Sequence, residues 1–454
     1  MKQEIELSQA LAFHRFGWGR RYDQRALPAG SRAQLVALLL DDAENSSSLS
    51  FDDLPASRDT LKTWFDYRRE IKAIRARKQE AGVEKPKSPS RQFLLGELEA
   101  RFDADRMSEI GFGERLVDFW SNHFAVSAIN PRMAVIAGPY RREAVRPHIS
   151  GRFEDLLLSV TRHPAMIHYL DNQVSMGPNS KAGRRRSKGL NENLAREILE
   201  LHTVGVNGGY TQQDVTNFAK VLTGWSIVGP KARGGTIGTF IFRRFMHEPG
   251  AQKIMGKVYD QRDLEQGISV LRTLAHHPAT ARFVSQKLVQ HFVSDDPPKI
   301  LVARVEQTFL NSGGDLQRMY ETLLQDTNSW QPELRKIRRP YEYVVATSRA
   351  FNVRPKPKNL FGSLKLMGQQ PFRPPSPQGW PDVGESWIAP DALKTRLDWA
   401  EQVARRRPSR DVRALARDIL GPLLSDETDL AIARAESAKQ AMALMMLSPE
   451  FQRR

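Results

Sequence analysis

The segment Asn191–Thr203 carries the densest set of chemically able side chains in the sequence: Asn191, Glu192, Asn193, Arg196, Glu197, Glu200 and His202. A carboxylate that takes a proton, an arginine that holds an anionic group and an imidazole that relays protons are the parts of an acid–base site. At about 100° per residue of helix, Leu194, Ala195, Ile198, Leu199 and Leu201 make one stripe with His202 inside it. Glu192, Asn193, Arg196, Glu197 and Glu200 take the other side. Ligands that share one ion must converge, so a metal site built from this helix alone is not expected. His202 is expected to point inward, where a neutral imidazole needs a hydrogen-bond partner.

Glu114–Phe124 has the same character. Leu116, Phe119, Trp120 and Phe124 form an apolar arc that includes His123, with Asp118 and Asn122 at its polar flank. Two inward histidines on separate helices admit three readings: two independently satisfied core residues, one shared buried site, or a metal centre completed by distant carboxylates. The polar face divides similarly. Glu192 with Arg196, and Arg196 with Glu200, are i,i+4 pairs worth a few tenths of a kcal/mol on a surface. The alternative is a pocket bordered by the Asn/Gly/Arg-rich segment 172–189 and by Gly205, Gly208 and Gly209. In that case Glu192, Glu197, Arg196, His202 and His123 are the catalytic candidates, and Asn122, Asn191, Asn193 and Trp225 the ligand-binding ones. No metal or cofactor is identified by these residues. Nucleophile-elbow, phosphate-loop and dinucleotide fingerprints are absent, which takes away most of the support for those enzyme classes.

The elements that must position these groups read as helices: 4–15, 31–41, 57–80, 90–107, 113–124, 133–147, 152–161, 191–204 and 211–223. They resume at 262–275, 278–293, 298–311, 315–325, 340–351 and 359–367, then from 390 onward with breaks. Thr211 with Asp214 is a capping box. His163-Pro164-Ala165 and His277-Pro278-Ala279 each place Pro where a helix begins. The β-branched and aromatic run 236–245 is the one strand region, with 253–259 as its expected partner. Residues 368–390, rich in Pro, Gly and Trp, cannot form a regular helix. The fold class is therefore mainly α, a multi-helical globular domain with a small inserted β-ribbon. Residues 1–110 form an N-terminal helical region with a basic α-hairpin, and 111–454 a helical core domain with the β insertion at about 235–259.

With 454 residues, 40% of them hydrophobic, the chain can bury an ordinary core. No apolar stretch approaches the roughly 20 residues of a membrane-spanning helix, so no membrane insertion is expected. The N-terminus lacks the pattern of a secretory signal, and the expected location is cytoplasmic. There is no cysteine, which excludes disulfides, thiolate metal sites and a cysteine nucleophile. The net charge of +16 raises acidic or nucleic-acid partners. Its main cluster comprises Lys62, Arg68, Arg69, Lys72, Arg75, Arg77, Lys78, Lys85 and Lys87. Smaller ones hold Arg184, Arg185, Arg186 and Lys188, and Lys336, Arg338 and Arg339. Solvated helix faces are the plainer account of such clusters.

Five blocks in order resemble the signature of the DUF1800 family. They are Asp118–Phe124; Asn191–Gly205; Gly208–Gln212 with Thr223-Gly224-Trp225; His247, Gly250, Lys253 and Gly256; and Gly368–Pro371 with Pro375 and Gly379-Trp380-Pro381. The similarity starts at Phe13–Gly19. The resemblance implies a largely helical bacterial protein of unknown function, often encoded beside DUF1501 proteins, which look like sulfatases or alkaline phosphatases; some such members are exported. Three functions stay open. One is an enzyme with a polar His/Glu/Arg pocket between helices 120–124 and 191–204. Another is an accessory protein that binds an acidic partner such as a DUF1501-like protein through the basic hairpin, and the third is nucleic-acid binding.

Overall fold

The computed structural model describes residues 2–76, 86–185, 189–232, 234–406 and 411–454. Arg77, Lys78, Lys85, Arg186 and Lys188 of the basic clusters, and the last turn expected for the helix 57–80, lie outside those residues. The fold is mainly α with a small β insertion. Helices α1 (Lys2–Leu11), α2 (Arg32–Ser47), α3 (Ser57–Ala76), α4 (Ser90–Met107) and α5 (Phe112–His123) open the chain. Among the described residues, no helix is long and apolar enough to cross a membrane.

Several helices begin where a capping side chain lies. Thr211 and Asp214 exchange backbone bonds to start Gln212–Leu222. At the two His-Pro-Ala sequences, the imidazole Nδ1 of His163 accepts the N–H of Ala165, and that of His277 accepts the N–H of Ala279, both at 3.1 Å. Pro follows at the first helical position, where a missing N–H costs nothing.

Three stretches depart from regular helix. Ala12–Phe16, Arg141–Val145 and Ile198–His202 are π-turns, each holding one more residue per turn than an α-helix. The helix expected over 133–147 is four short pieces, broken at Val135-Ile136, where Pro139 cannot donate back to the preceding turn, and tightened around Pro147. The β insertion also differs from expectation. Strand β1 (Trp225–Ile227) pairs antiparallel with β2 (Phe240–Phe242), whereas β3 (Gln252–Ile254) pairs with β4 (Lys257–Tyr259). The reason is local. Met255 and Gly256 both have positive φ, 47° and 81°, the signature of a two-residue hairpin turn whose twist suits the flanking strands. The 253–259 run therefore closes on itself.

Two apolar clusters share the interior. One gathers α1, α2, α5 and the helices from Phe153 to Gln325; the other joins Trp18 and α4 to the helices from Pro340 to Gln452. Elements of both clusters are tied together by buried charges. Nine arginines among the described residues are buried, so a minor share of the positive charge, including the cluster Lys336, Arg338 and Arg339 expected on a solvated face, belongs to the interior. Some grip carbonyls: Arg349 donates to the carbonyls of Gly19, Ser108 and Glu109, and Arg15 to those of Ser329 and Glu333. Others surround carboxylates. Glu342 receives Arg339 and Arg454, with Arg115 at 3.6 Å. Asp118 receives Arg101, Arg141 and Arg339.

Within this network Asp105 is the exception. Burial, reinforced by Glu114, pushes its carboxyl up to about 7; one oxygen takes the Tyr341 hydroxyl. The native state thus keeps a proton that the unfolded chain releases near pH 4. Stability is expected to decline as pH rises from about 4 to about 7. Asp105→Asn should remove that slope, so denaturant melts of both proteins at pH 5 and pH 8 should show the variant gaining relative stability at the higher pH. A parallel dependence in the variant would assign the slope to another group.

Candidate functional site

The residues singled out in Asn191–Thr203 separate into a surface and a core. Glu192 accepts from Arg196, Gln212 and Thr216 at 2.7–3.0 Å and is partly exposed. Glu197 is half-buried, its carboxyl raised by burial and by Glu200, and it makes no hydrogen bond or ion pair among the described residues. Asn191 ties the carbonyls of Leu170 and Asp171 to the N–H of Asn193, whose side chain is exposed. Leu201, expected on the apolar stripe, is half-exposed, because the π-turn breaks the 100° progression. No contact joins Glu192, Arg196 or Glu197 to either histidine.

His123 and His202 do meet, with ring centroids 6.4 Å apart. His123 Nε2 donates to the carbonyl of His202 at 3.1 Å, and the ring nitrogens of His202 bond nothing among the described residues. Burial lowers both, His202 to about 3, with the Lys287 ammonium adding to the effect. They are neutral rings packed among Phe119, Trp120, Phe124 and Phe153. Among the described residues, no three His, Asp or Glu side chains stand close enough together to hold a metal ion.

Asn122 has a different task. Its amide donates to the Trp380 carbonyl at 2.9 Å and accepts the Trp380 N–H at 2.7 Å, so one side chain substitutes for a strand partner. Gly379 beside it has φ +87°, and a Cβ there would lie 2.4 Å from the Asn122 carbonyl oxygen. Gly379→Ala is expected to cost about 1–3 kcal/mol from the left-handed backbone alone; a urea melt matching the wild type would refute the tight approach. Trp225 is wholly buried against Phe240 and covers the core.

A wide opening lies elsewhere, in a groove of about 900 Å³ where three sequence blocks converge. The first is the loop from Asn179 to Arg184, within the long segment 172–189. The second is His247 to Gly250, and the third is Thr223-Gly224, which supports them from below. His247 Nδ1 donates to the Thr223 carbonyl at 3.0 Å, and the Glu248 N–H donates to the Thr223 hydroxyl at 2.8 Å. Gly224, with φ +85°, leaves room for this: a Cβ would lie 2.8 Å from the Arg243 carbonyl and 3.3 Å from His247. The buried Glu248 carboxylate then accepts both the backbone and side-chain N–H of Asn179, at 2.8 and 2.6 Å, fixing the loop. Backbone bonds from Gly177 to Met246 and from Ala182 to Phe245 complete the seam.

With Nδ1 engaged as donor, the tautomer is set, and Nε2 carries the lone pair. It bonds nothing among the described residues. Burial holds His247 below its ordinary value, so the ring is neutral at pH 7. Around it the groove presents Lys181, Arg184, Arg243, Arg244 and Arg262 against Asp260 and Asp263. Arg243 is anchored on the Ser226 hydroxyl and the Ile227 carbonyl, and Arg244 pairs with Asp263 at 3.0 Å. Asp263, at the start of the helix that follows, has φ +59°, a conformation costing on the order of 1–3 kcal/mol in a non-glycine residue. Lys181, Arg184 and Arg262 form no ion pair among the described residues. They are exposed cations facing an open concavity, which suits an anionic occupant.

Sequence reading singled out the long loop, His247 and the Thr-Gly-Trp block separately but did not join them. The link runs through the Thr223 carbonyl and hydroxyl, the room left by Gly224, and the Glu248–Asn179 pair, contacts between positions 24, 25 and 69 residues apart that no local spacing reveals. A family model described as a protein of unknown function (DUF1800) matches residues 11–453. No curated protein and no solved structure matches the chain.

Proposed function

The chain belongs to the DUF1800 family, and from that premise we propose that it is an enzyme that takes an anionic ester into the groove beside His247 and hydrolyses it. The observation that carries this reading is the fixed tautomer of His247 at the edge of a cationic groove. The Nε2 lone pair takes a proton from a water, the water oxygen attacks the acyl, phosphoryl or sulfuryl centre, and the bond to the alcohol breaks. The imidazolium returns its proton to the departing alkoxide, so no proton is gained or lost on His247 over the cycle. The unpaired cations offset the charge of the substrate and of the transition state.

The test is turnover of p-nitrophenyl phosphate, sulfate and succinate by the purified chain, alongside the double variant Arg184→Glu/Arg262→Glu. Hydrolysis of at least one ester with a KM raised at least ten-fold in the variant is expected. Absence of both turnover and saturable binding for all three esters would overturn the reading.

A second reading rests on α3, where Lys62, Arg68, Arg69, Lys72 and Arg75 are exposed. It is docking of an acidic protein, such as a DUF1501-like one, on this helix. Co-purification that survives low salt and is lost at high salt is expected, because such contacts are screened; the same association at both salts would exclude it.

A further inference from the structure

We propose that the small cavity between α5 and the segment 369–380 is a receptor for one oxyanion group, a sulfate, phosphate or carboxylate. It is independent of the groove and uses none of its residues. The cavity measures about 70 Å³, room for about two waters at roughly 30 Å³ each, or for one tetrahedral anion.

Three guanidiniums, from Arg101, Arg141 and Arg339, stand in its wall, and Asp118 is the sole carboxylate there. Asp118 accepts from all three, at 2.5, 3.4 and 2.6 Å. Behind the wall, Glu342 serves Arg339 at 3.0 Å, Asp105 lies 3.6 Å from Arg101 and Glu114 lies 3.9 Å from Arg141. Arg141 is therefore the least matched, with one contact at 3.4 Å and one at 3.9 Å.

Donors remain unspent. The Ser121 hydroxyl is buried with no hydrogen-bond partner among the described residues, and Arg141, 5% exposed, has only the long Nη1 contact to Asp118 on the cavity side, its Nη2 facing Glu114. Gln369 directs its carbonyl to the Tyr341 N–H at 2.8 Å and leaves its amide nitrogen without a bond among the described residues. A buried donor without an acceptor is costly. The complement of an arginine, a hydroxyl and an amide N–H is a group made only of acceptors with negative charge. A cation would meet three guanidiniums, and a neutral apolar group would leave every donor unmet.

The probes are sodium sulfate, phosphate, acetate and methyl sulfate, titrated into the full chain by calorimetry and thermal melting, with sodium chloride at matched ionic strength as the control. Saturable binding of sulfate or phosphate is expected, with a rise in Tm beyond that of chloride. Ser121→Met, which fills the cavity, should weaken it at least ten-fold. The same titration in the Arg184→Glu/Arg262→Glu background, where the groove no longer attracts anions, should retain the Ser121-dependent binding, which separates this cavity from the groove. If Ser121→Met fails to fold, Ser121→Ala should weaken binding at least three-fold. A Tm rise equal to that of chloride, or affinity indifferent to every Ser121 variant, would overturn the proposal. Methyl sulfate binding as well as sulfate would identify the end group of a larger molecule; its exclusion would identify the free ion.

Discussion

Glu342→Ala is expected to lower the free energy of unfolding by about 3–5 kcal/mol, the range for breaking a buried ion pair from one side. The carboxylate is 1% exposed. One oxygen accepts from Arg339 Nε and Nη2, and the other from Arg454 Nε and the Arg339 backbone. Arg115 stands 3.6 Å away. Removing it leaves three guanidiniums close together in the interior with less than their charge in partners. Burial alone would raise the carboxyl, but Arg454, Arg339 and Arg115 outweigh it and hold Glu342 well below the carboxylate range. The sign of the pH effect follows. Its contribution is fully present above about pH 4.5, where the unfolded chain is ionised, and fades as pH falls toward the native value. Urea melts at pH 7 and pH 3.5 should show the gap between wild type and variant shrinking in acid. A loss below about 1 kcal/mol at pH 7 would mean the three arginines do not depend on this group.

The second large effect concerns His247→Asn. The carboxamide nitrogen of asparagine stands close to where Nδ1 was, so the bond to the Thr223 carbonyl and the fold should persist, while the Nε2 base is gone. Loss of a general base costs about 10²–10⁴ in rate, and kcat should fall at least 100-fold with little change in KM. In the wild type, kcat/KM should be level at neutral pH and decline as pH falls through the His247 value, which burial places below 6.5. The asparagine variant should lack that limb. Equal activity in the variant, or a wild-type profile flat to pH 4, would remove His247 from the chemistry.

Helical architecture was legible in the sequence because periodicity and caps are local. The ranges 90–107 and 340–351 agree at both ends, and the Thr211–Asp214 box forms as expected. The positions of chemistry were less legible. His202 was correctly placed inside by its apolar neighbours, but nothing in the sequence shows that Glu192 beside the same helix spends itself on Gln212 and Thr216. The role of Asn122 depends on a backbone more than 250 positions away in sequence. The basic character read as surface charge is partly interior, since an arginine that binds carbonyls has the same composition as one in water. Pairing in the β insertion turned on two positive φ values, one of them at Met255, a residue type that gives no warning of it.

Each π-turn amounts to one amino acid slipped into a helix that would otherwise be regular. Excising a single residue between Ile198 and His202 would restore ordinary winding and leave the imidazole facing inward, because the turn itself takes up the extra residue. Relatives that lack one residue at 12–16, 141–145 or 198–202 are thus expected to keep the same side chains facing inward, with an unbroken helix where this chain has a widened turn.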